Sequence, residues 1–156
     1  MIRINIVCVG KIKEKYIKDG IEEFLKRLSK YAKLDIIELS EEDDNKGVKN
    51  AIDIETERII NIIEKKNYSY NILLDLSGKM LTSVEMAQKI EKISLTNSEI
   101  NFIIGGSNGV DDELRKLVDF RLAFSSFTFP HQLMRVLLLE QIYRCFRINS
   151  GEPYHK

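Results

Sequence analysis

Residues Asn101–Val110 read NFIIGGSNGV, and this stretch decides the fold class. Asn101–Ile104 is a short apolar run that stops abruptly at paired glycines. Asp111–Val118 (DDELRKLV) follows as a short helix with acids in its first turn. A strand, a glycine-rich turn and a helix thus follow one another directly. In an open α/β sheet, ligands bind at the carboxyl ends of strands, where backbone approaches them closely. Gly105, Gly106 and Gly109 lack a Cβ and permit that approach. A tight strand-to-helix turn without any ligand explains the same spacing, so the glycines alone do not establish a site.

Two nucleotide motifs fail here. A P-loop requires G-x-x-x-x-G-K-[ST], and no Lys-Ser or Lys-Thr follows these glycines. A dinucleotide fingerprint requires G-x-G-x-x-G after an early strand. These glycines are spaced differently and follow the fourth expected strand. A cofactor, if bound, is held in another way.

On either side of this stretch, strands alternate with helices. Arg3–Val9 is a first strand, expected in a central position. Lys15–Tyr31 is a helix with Tyr16, Ile17, Ile21, Phe24, Leu25, Leu28 and Tyr31 at helical spacing. Its outer face carries Lys15, Lys18, Lys26, Arg27 and Lys30, either as a solvated surface or as an RNA contact. Leu34–Leu39 is a second strand, Ser40–Gly47 an acidic loop without EF-hand spacing, and Val48–Lys66 a long helix. Tyr70–Leu74 is a third strand ending at Asp75–Gly78. Ser83–Ile93 is a helix with Ser83 as its N-cap. Ile100–Ile104 and Arg121–Phe124 are the fourth and fifth strands. The expected fold is α/β, a mainly parallel sheet covered by helices, in one domain over residues 1–156.

Three strand ends should meet on one sheet edge: Leu74-Asp75, Gly105-Gly106 and Phe124–His131 (FSSFTFPH). Pro130 pushes Phe129 out of the α region and favours a helix start after it. Backbone groups of this loop can read an adenine edge while Phe124, Phe127 or Phe129 covers its face. As plain core residues the phenylalanines need no ligand. His131–Arg147 (HQLMRVLLLEQIYRCFR) is a helix apolar over most of its circumference, which suggests a subunit interface. Glu140 and Arg144 sit at i,i+4 and can pair.

The 156 residues suffice for one domain with a sizeable core. Lys+Arg and Asp+Glu number 24 each, and this zero net charge argues against a general nucleic-acid coater. Cys8 and Cys145 lie in separate apolar runs and read as buried thiols in a reducing compartment. His131 and His155 have no Cys or His partner at metal-ligand spacing, so no metal is expected. No apolar run is long enough for a signal peptide or a membrane span. A cytoplasmic protein is expected.

The stretches IIGGSNG, FTFPHQLMRVLLLEQIYRCFRI and GEPYHK, with IVCVGKIKEKY and LDLSGK, resemble the RlmH family over essentially the whole chain. That family comprises SPOUT-class methyltransferases acting on N3 of a pseudouridine in large-subunit ribosomal RNA, with S-adenosylmethionine as donor. The resemblance implies a C-terminal trefoil knot, although chains rarely thread, and a homodimer that works on the ribosome. It places cofactor contacts on Leu74, Gly105 and Phe124, Ser125, Ser126, Phe127, Thr128 and Phe129. The family's closing Tyr-His pair falls on Tyr154 and His155. The middle of the loop, Phe-Ser-Ser-Phe, is a variable part of the family pattern.

For a methyltransferase of this kind, catalytic roles fall to the tail and the last helix. Methyl transfer from a sulfonium is a direct displacement, so alignment supplies much of the acceleration. The imide N3–H must lose its proton. His155 can act as base, since an unperturbed histidine titrates near ~6.5. Tyr154 can orient the acceptor base, and Arg144 can stabilise negative charge developing on it. Arg144 is equally readable as a surface partner of Glu140, and the tail as a disordered terminus. A non-catalytic nucleotide- or RNA-binding module of the same fold is the rival; it needs no titratable tail.

Overall fold

The computed structural model covers residues 1–156. Five parallel strands form one sheet: β1 (Arg3–Val9), β2 (Lys33–Leu39), β3 (Ser69–Met80), β4 (Glu99–Ile104) and β5 (Phe120–Ala123), in the order β2-β1-β4-β3-β5. Helices α1 (Lys15–Leu28), α2 (Val48–Ile63), α3 (Ser83–Ser94), α4 (Asp112–Leu117) and α5 (His131–Asn149) connect and cover them. β1 lies inside the sheet, between β2 and β4.

Side-chain alternation along the strands sorts the helices into two layers. Ile4, Ile6 and Cys8 of β1, with Ile100, Phe102 and Ile104 of β4, face a core shared with α1, α3 and α5. Val7, Val9, Leu73 and Ile103 face the other way, onto Ile59 and Ile63 of α2 and Leu114 of α4. One polar row interrupts this second face. Asn5, Asn101 and Asn71 stand opposite one another on β1, β4 and β3. Asn5 donates to Asn101 at 2.7 Å, and Asn101 to Asn71 at 2.8 Å. Amides that pair with each other can be buried without an unmet hydrogen bond.

The boundaries expected from sequence shift in two instructive places. β3 does not stop at Leu74; it bulges over residues 75–78 and rejoins β5 at Lys79 and Met80. Gly78 permits this, because a Cβ there would lie 2.6 Å from the backbone oxygen of Arg121. The N-cap of α3 is Thr82, not Ser83. Thr82 accepts from the Glu85 amide while Glu85 accepts from the Thr82 amide, a complete capping box.

α5 is covered more fully by its own chain than its sequence suggests. It lies against α1 and α3, with the sheet beneath. Gly20 of α1 gives Val136 room, since a Cβ there would meet Val136 at 3.3 Å. Tyr143 meets Phe24 and Tyr31 edge-on or tilted, and Tyr31 stacks on Phe146. The apolar circumference of α5 therefore does not by itself require a second copy. Cys8 and Cys145 are both buried free thiols, pushed up to about 11 and about 12 by burial.

Candidate active site

At the carboxyl edge of the sheet the ends of β3, β4 and β5 surround a cavity of about 650 Å³. Leu74, Gly105, Phe124, Ser125, Phe127, Thr128 and Phe129 all line it, with Val110, His131 and Met134. Ser126 does not. Its neighbour Ser125 accepts from the Phe127 amide at 2.8 Å, which puts Ser126 at the outer apex of a tight turn. Glycine is needed at 105 because the turn folds back on itself. A Cβ there would lie 2.6 Å from Cγ1 of Val110. Gly109 closes that turn at φ 87°, bridging to Gly106.

Asp75 organises the β3 side of the cavity. Its carboxylate is nearly buried and accepts from the Ser77 amide and hydroxyl, from Arg115 at 3.0 Å and, more loosely, from Arg121 at 3.5 Å. Burial pulls its pKa up, but the Ser77 bonds and the Arg115 guanidinium outweigh that and hold it below its ordinary 3.8. A depressed folded-state pKa contributes stability above the unfolded value, lost as pH falls through the folded one. Asp75→Asn should therefore lower the urea midpoint at about pH 7, and the gap to wild type should close towards about pH 3. A gap independent of pH would show that the Asp75 charge is not what ties the bulge.

The C-terminal residues are packed and hydrogen-bonded. Tyr154 meets Tyr143 edge-on at 4.9 Å, and its hydroxyl bonds Glu140 at 3.1 Å. Glu140 also receives Arg144 through Nε at 3.1 Å and Nη2 at 2.5 Å. Arg144 in turn places Nη1 3.2 Å from Nδ1 of His155 and lies over the Tyr154 ring. Arginine carries only donors, so Nδ1 accepts and the neutral imidazole keeps its proton on Nε2. Tyr31, Arg147 and Glu152 pin the turn before Tyr154.

These two assemblies lie at opposite ends of α5. His131, at the cavity, and Arg144 are thirteen residues apart on one helix. At about 1.5 Å per residue that is roughly 20 Å.

Residues 2–155 match a family model described as "Predicted SPOUT methyltransferase". The chain belongs to the SPOUT methyltransferase family. It is 53% identical to Ribosomal RNA large subunit methyltransferase H of Fusobacterium nucleatum, over 98% of this chain and 99% of that one. It is 54% identical to the protein of the same name from Clostridioides difficile, again over 98% and 99%. A solved structure from Haemophilus influenzae, described as a probable methylase family protein, superposes with a TM-score of 0.53. It is 12% identical and covers 98% of this chain and 70% of that one, a likeness of fold.

In this SPOUT methyltransferase, some residues to which sequence patterns gave no site role line the cavity or support the elements around it. Arg135 is fully buried. It donates to Glu38 at 2.6 Å and to the carbonyls of Val9 and Gly10 at 3.2 and 2.7 Å. His131 lines the cavity with a buried Nδ1 that has no partner. Burial, then the charge of Arg135, lowers its pKa. Glu140, which sequence spacing marked only as a partner for Arg144, also holds Tyr154. No three His, Cys, Asp or Glu side chains come together in a way that would hold a metal, and no helix is long and apolar enough to cross a membrane.

Proposed function

We propose that the protein transfers a methyl group from S-adenosylmethionine to N3 of a pseudouridine in large-subunit ribosomal RNA, on the assembled ribosome, as a cytoplasmic homodimer. The observation that carries this is the convergence of Leu74, Gly105 and the Phe124–Phe129 loop on one cavity, in a chain so similar to the two ribosomal RNA methyltransferases. The cavity suits the donor: it has apolar walls, exposed strand-end backbone and an unpartnered ring nitrogen on His131. The donor supplies a methyl group on a sulfonium, ready for direct displacement. Backbone of the loop and of the Gly105 turn would hold it, and Phe124 and Phe129 would keep water away. The trefoil knot of the C-terminal part belongs to the same reading.

The chain's own residues then deal with the acceptor proton. Nδ1 of His155 is the basic nitrogen, and it accepts from Arg144. Taking the imide proton there breaks the contact with Arg144. The released guanidinium face can meet negative charge on the acceptor base. Tyr154, held by Glu140 and Tyr143, fixes where His155 starts. The distance from tail to cavity along α5 supports an active site completed by the tail of a second copy.

Labelled S-adenosylmethionine and large ribosomal subunits lacking the modification test this directly. Label should enter the RNA at N3 of one pseudouridine. No label in RNA would leave a binding module instead. A mass of 18.1 kDa by light scattering at micromolar concentration would remove the dimer. Gly105→Val drives a branched side chain into Val110 and deforms the turn beside the cavity. It should weaken S-adenosylmethionine binding at least about tenfold, or ~1.4 kcal/mol. Unchanged affinity by calorimetry in a folded variant would take Gly105 out of the site.

A further inference from the structure

The chain carries no net charge, yet residues 11–18, KIKEKYIK, hold four lysines and one glutamate. Lys15 is tied to Asp19 at 2.7 Å. Lys11, Lys13 and Lys18 are exposed and have no ion-pair partner. Among them stands Tyr16, one position off the Ile17–Ile21 face that enters the core. It is 69% exposed, so its ring contributes little to packing.

Two glycines bracket this segment and fix its place. Gly10, just before it, sits against His131, with a Cβ position 3.5 Å from Cε1 of that ring. Gly20, just after it, sits against Val136. The Ile12 amide donates to Glu38, the carboxylate that grips Arg135. The segment that carries the lysines and Tyr16 is therefore anchored beside the first two turns of α5, next to His131, which lines the cavity. Phe127, 78% exposed, stands on that cavity too.

We infer that Lys11, Lys13, Tyr16 and Lys18 form a docking surface for an unpaired stretch of the substrate RNA, adjoining the acceptor nucleotide. This rests on the proposed action on ribosomal RNA and adds where that RNA is held. The three free ammonium groups match phosphates, whose contacts release counterions and make binding salt-dependent. An exposed ring among cations matches a base face, since base–aromatic stacking tolerates any sequence. A local patch also reconciles nucleic-acid binding with zero net charge, because bulk attraction is absent and a few placed cations can supply the contacts.

The test uses large ribosomal subunits from cells in which this gene is deleted. Lys11→Gln, Lys13→Gln and Lys18→Gln are combined in one variant, Tyr16→Ala forms a second, and Lys65→Gln, just beyond the end of α2, is the control. All these side chains are exposed, and melting curves check that each variant folds. The triple variant should flatten the slope of log affinity against log salt by about 2, at roughly 0.7 per phosphate on a single strand. Tyr16→Ala should weaken binding roughly tenfold with the slope unchanged, and the control should match wild type. If wild type binds and both variants bind equally well with the same salt slope, the surface is wrong while the proposed function stands. If wild type itself neither binds nor labels the subunits, both fall. A photoreactive side chain at position 16 should crosslink to a nucleotide; a crosslink to a ribosomal protein would overturn the RNA assignment.

Discussion

His155→Ala should lower methyl transfer by about 10²–10⁴-fold, the usual worth of a positioned proton acceptor. The imidazole is exposed and its one side-chain hydrogen bond is with Arg144. Removing it should leave the fold and the proposed dimerisation and S-adenosylmethionine binding intact. Deleting Tyr154–Lys156 should abolish transfer equally, but with a cost the point variant avoids. The Tyr154–Tyr143 ring pair is worth about 0.5–1.5 kcal/mol, and the Glu140 bond goes with it. His155→Ala is thus the cleaner probe, and wild-type rates from it would end the assignment of His155. Arg144→Lys keeps the charge but cannot bond Glu140 twice and reach His155 as well. It should fall between wild type and Arg144→Ala. The separation along α5 gives a second readout. Subunits lacking the tail, mixed with subunits carrying Gly105→Val, retain one intact pocket facing one intact tail if each site uses its partner's tail. Recovery of part of the activity is expected. No recovery would place tail and cavity in the same subunit.

Much of this architecture is legible in the chain because local signals agree with one another. NFIIGG announces a buried strand ending in a turn, and the α/β alternation follows from apolar runs between helical periods. What was not legible depends on distant partners. The β3 bulge looked like the end of a strand because DLSGK carries turn residues. It is held open by Arg115 and Arg121, from α4 and β5. The spacing of Tyr16 matches the apolar face, but that face is set by Ile17, Ile21 and Leu28, and one residue is a 100° step on a helix. The Thr82–Glu85 capping box was readable as T-x-x-E and was obscured by the adjacent Ser83. For the site, the cavity-lining residues could be anticipated because strand ends converge on one edge. The tail could not be read as ordered, since nothing in INSGEPYHK reveals that Tyr143 and Glu140 receive it.

Arg135 is the residue whose burial no pattern could disclose, because its acceptors lie roughly a hundred residues or more earlier in the chain. β1 ends beneath α5, and the carbonyls of Val9 and Gly10 would be left there without water. Buried carbonyls require donors, and the fork of one guanidinium serves both while pairing with Glu38. Arg135→Met keeps similar bulk and removes every one of these bonds. Breaking a buried pair from one side costs about 3–5 kcal/mol. Here the lower end applies, since the Glu38 side chain is 37% exposed and can turn to water. At roughly 2–4 °C per kcal/mol for a domain of this size, the melting temperature should drop by about 6–12 °C. The loss should also reach function. α5 begins one turn before Arg135, directly after the Phe124–Phe129 loop, so freeing that turn loosens the cavity wall and should weaken S-adenosylmethionine binding. Arg135→Lys should recover little, because one ammonium cannot span Glu38 and two carbonyls. A variant melting within about 1 °C of wild type would mean that water or a neighbouring amide satisfies these carbonyls.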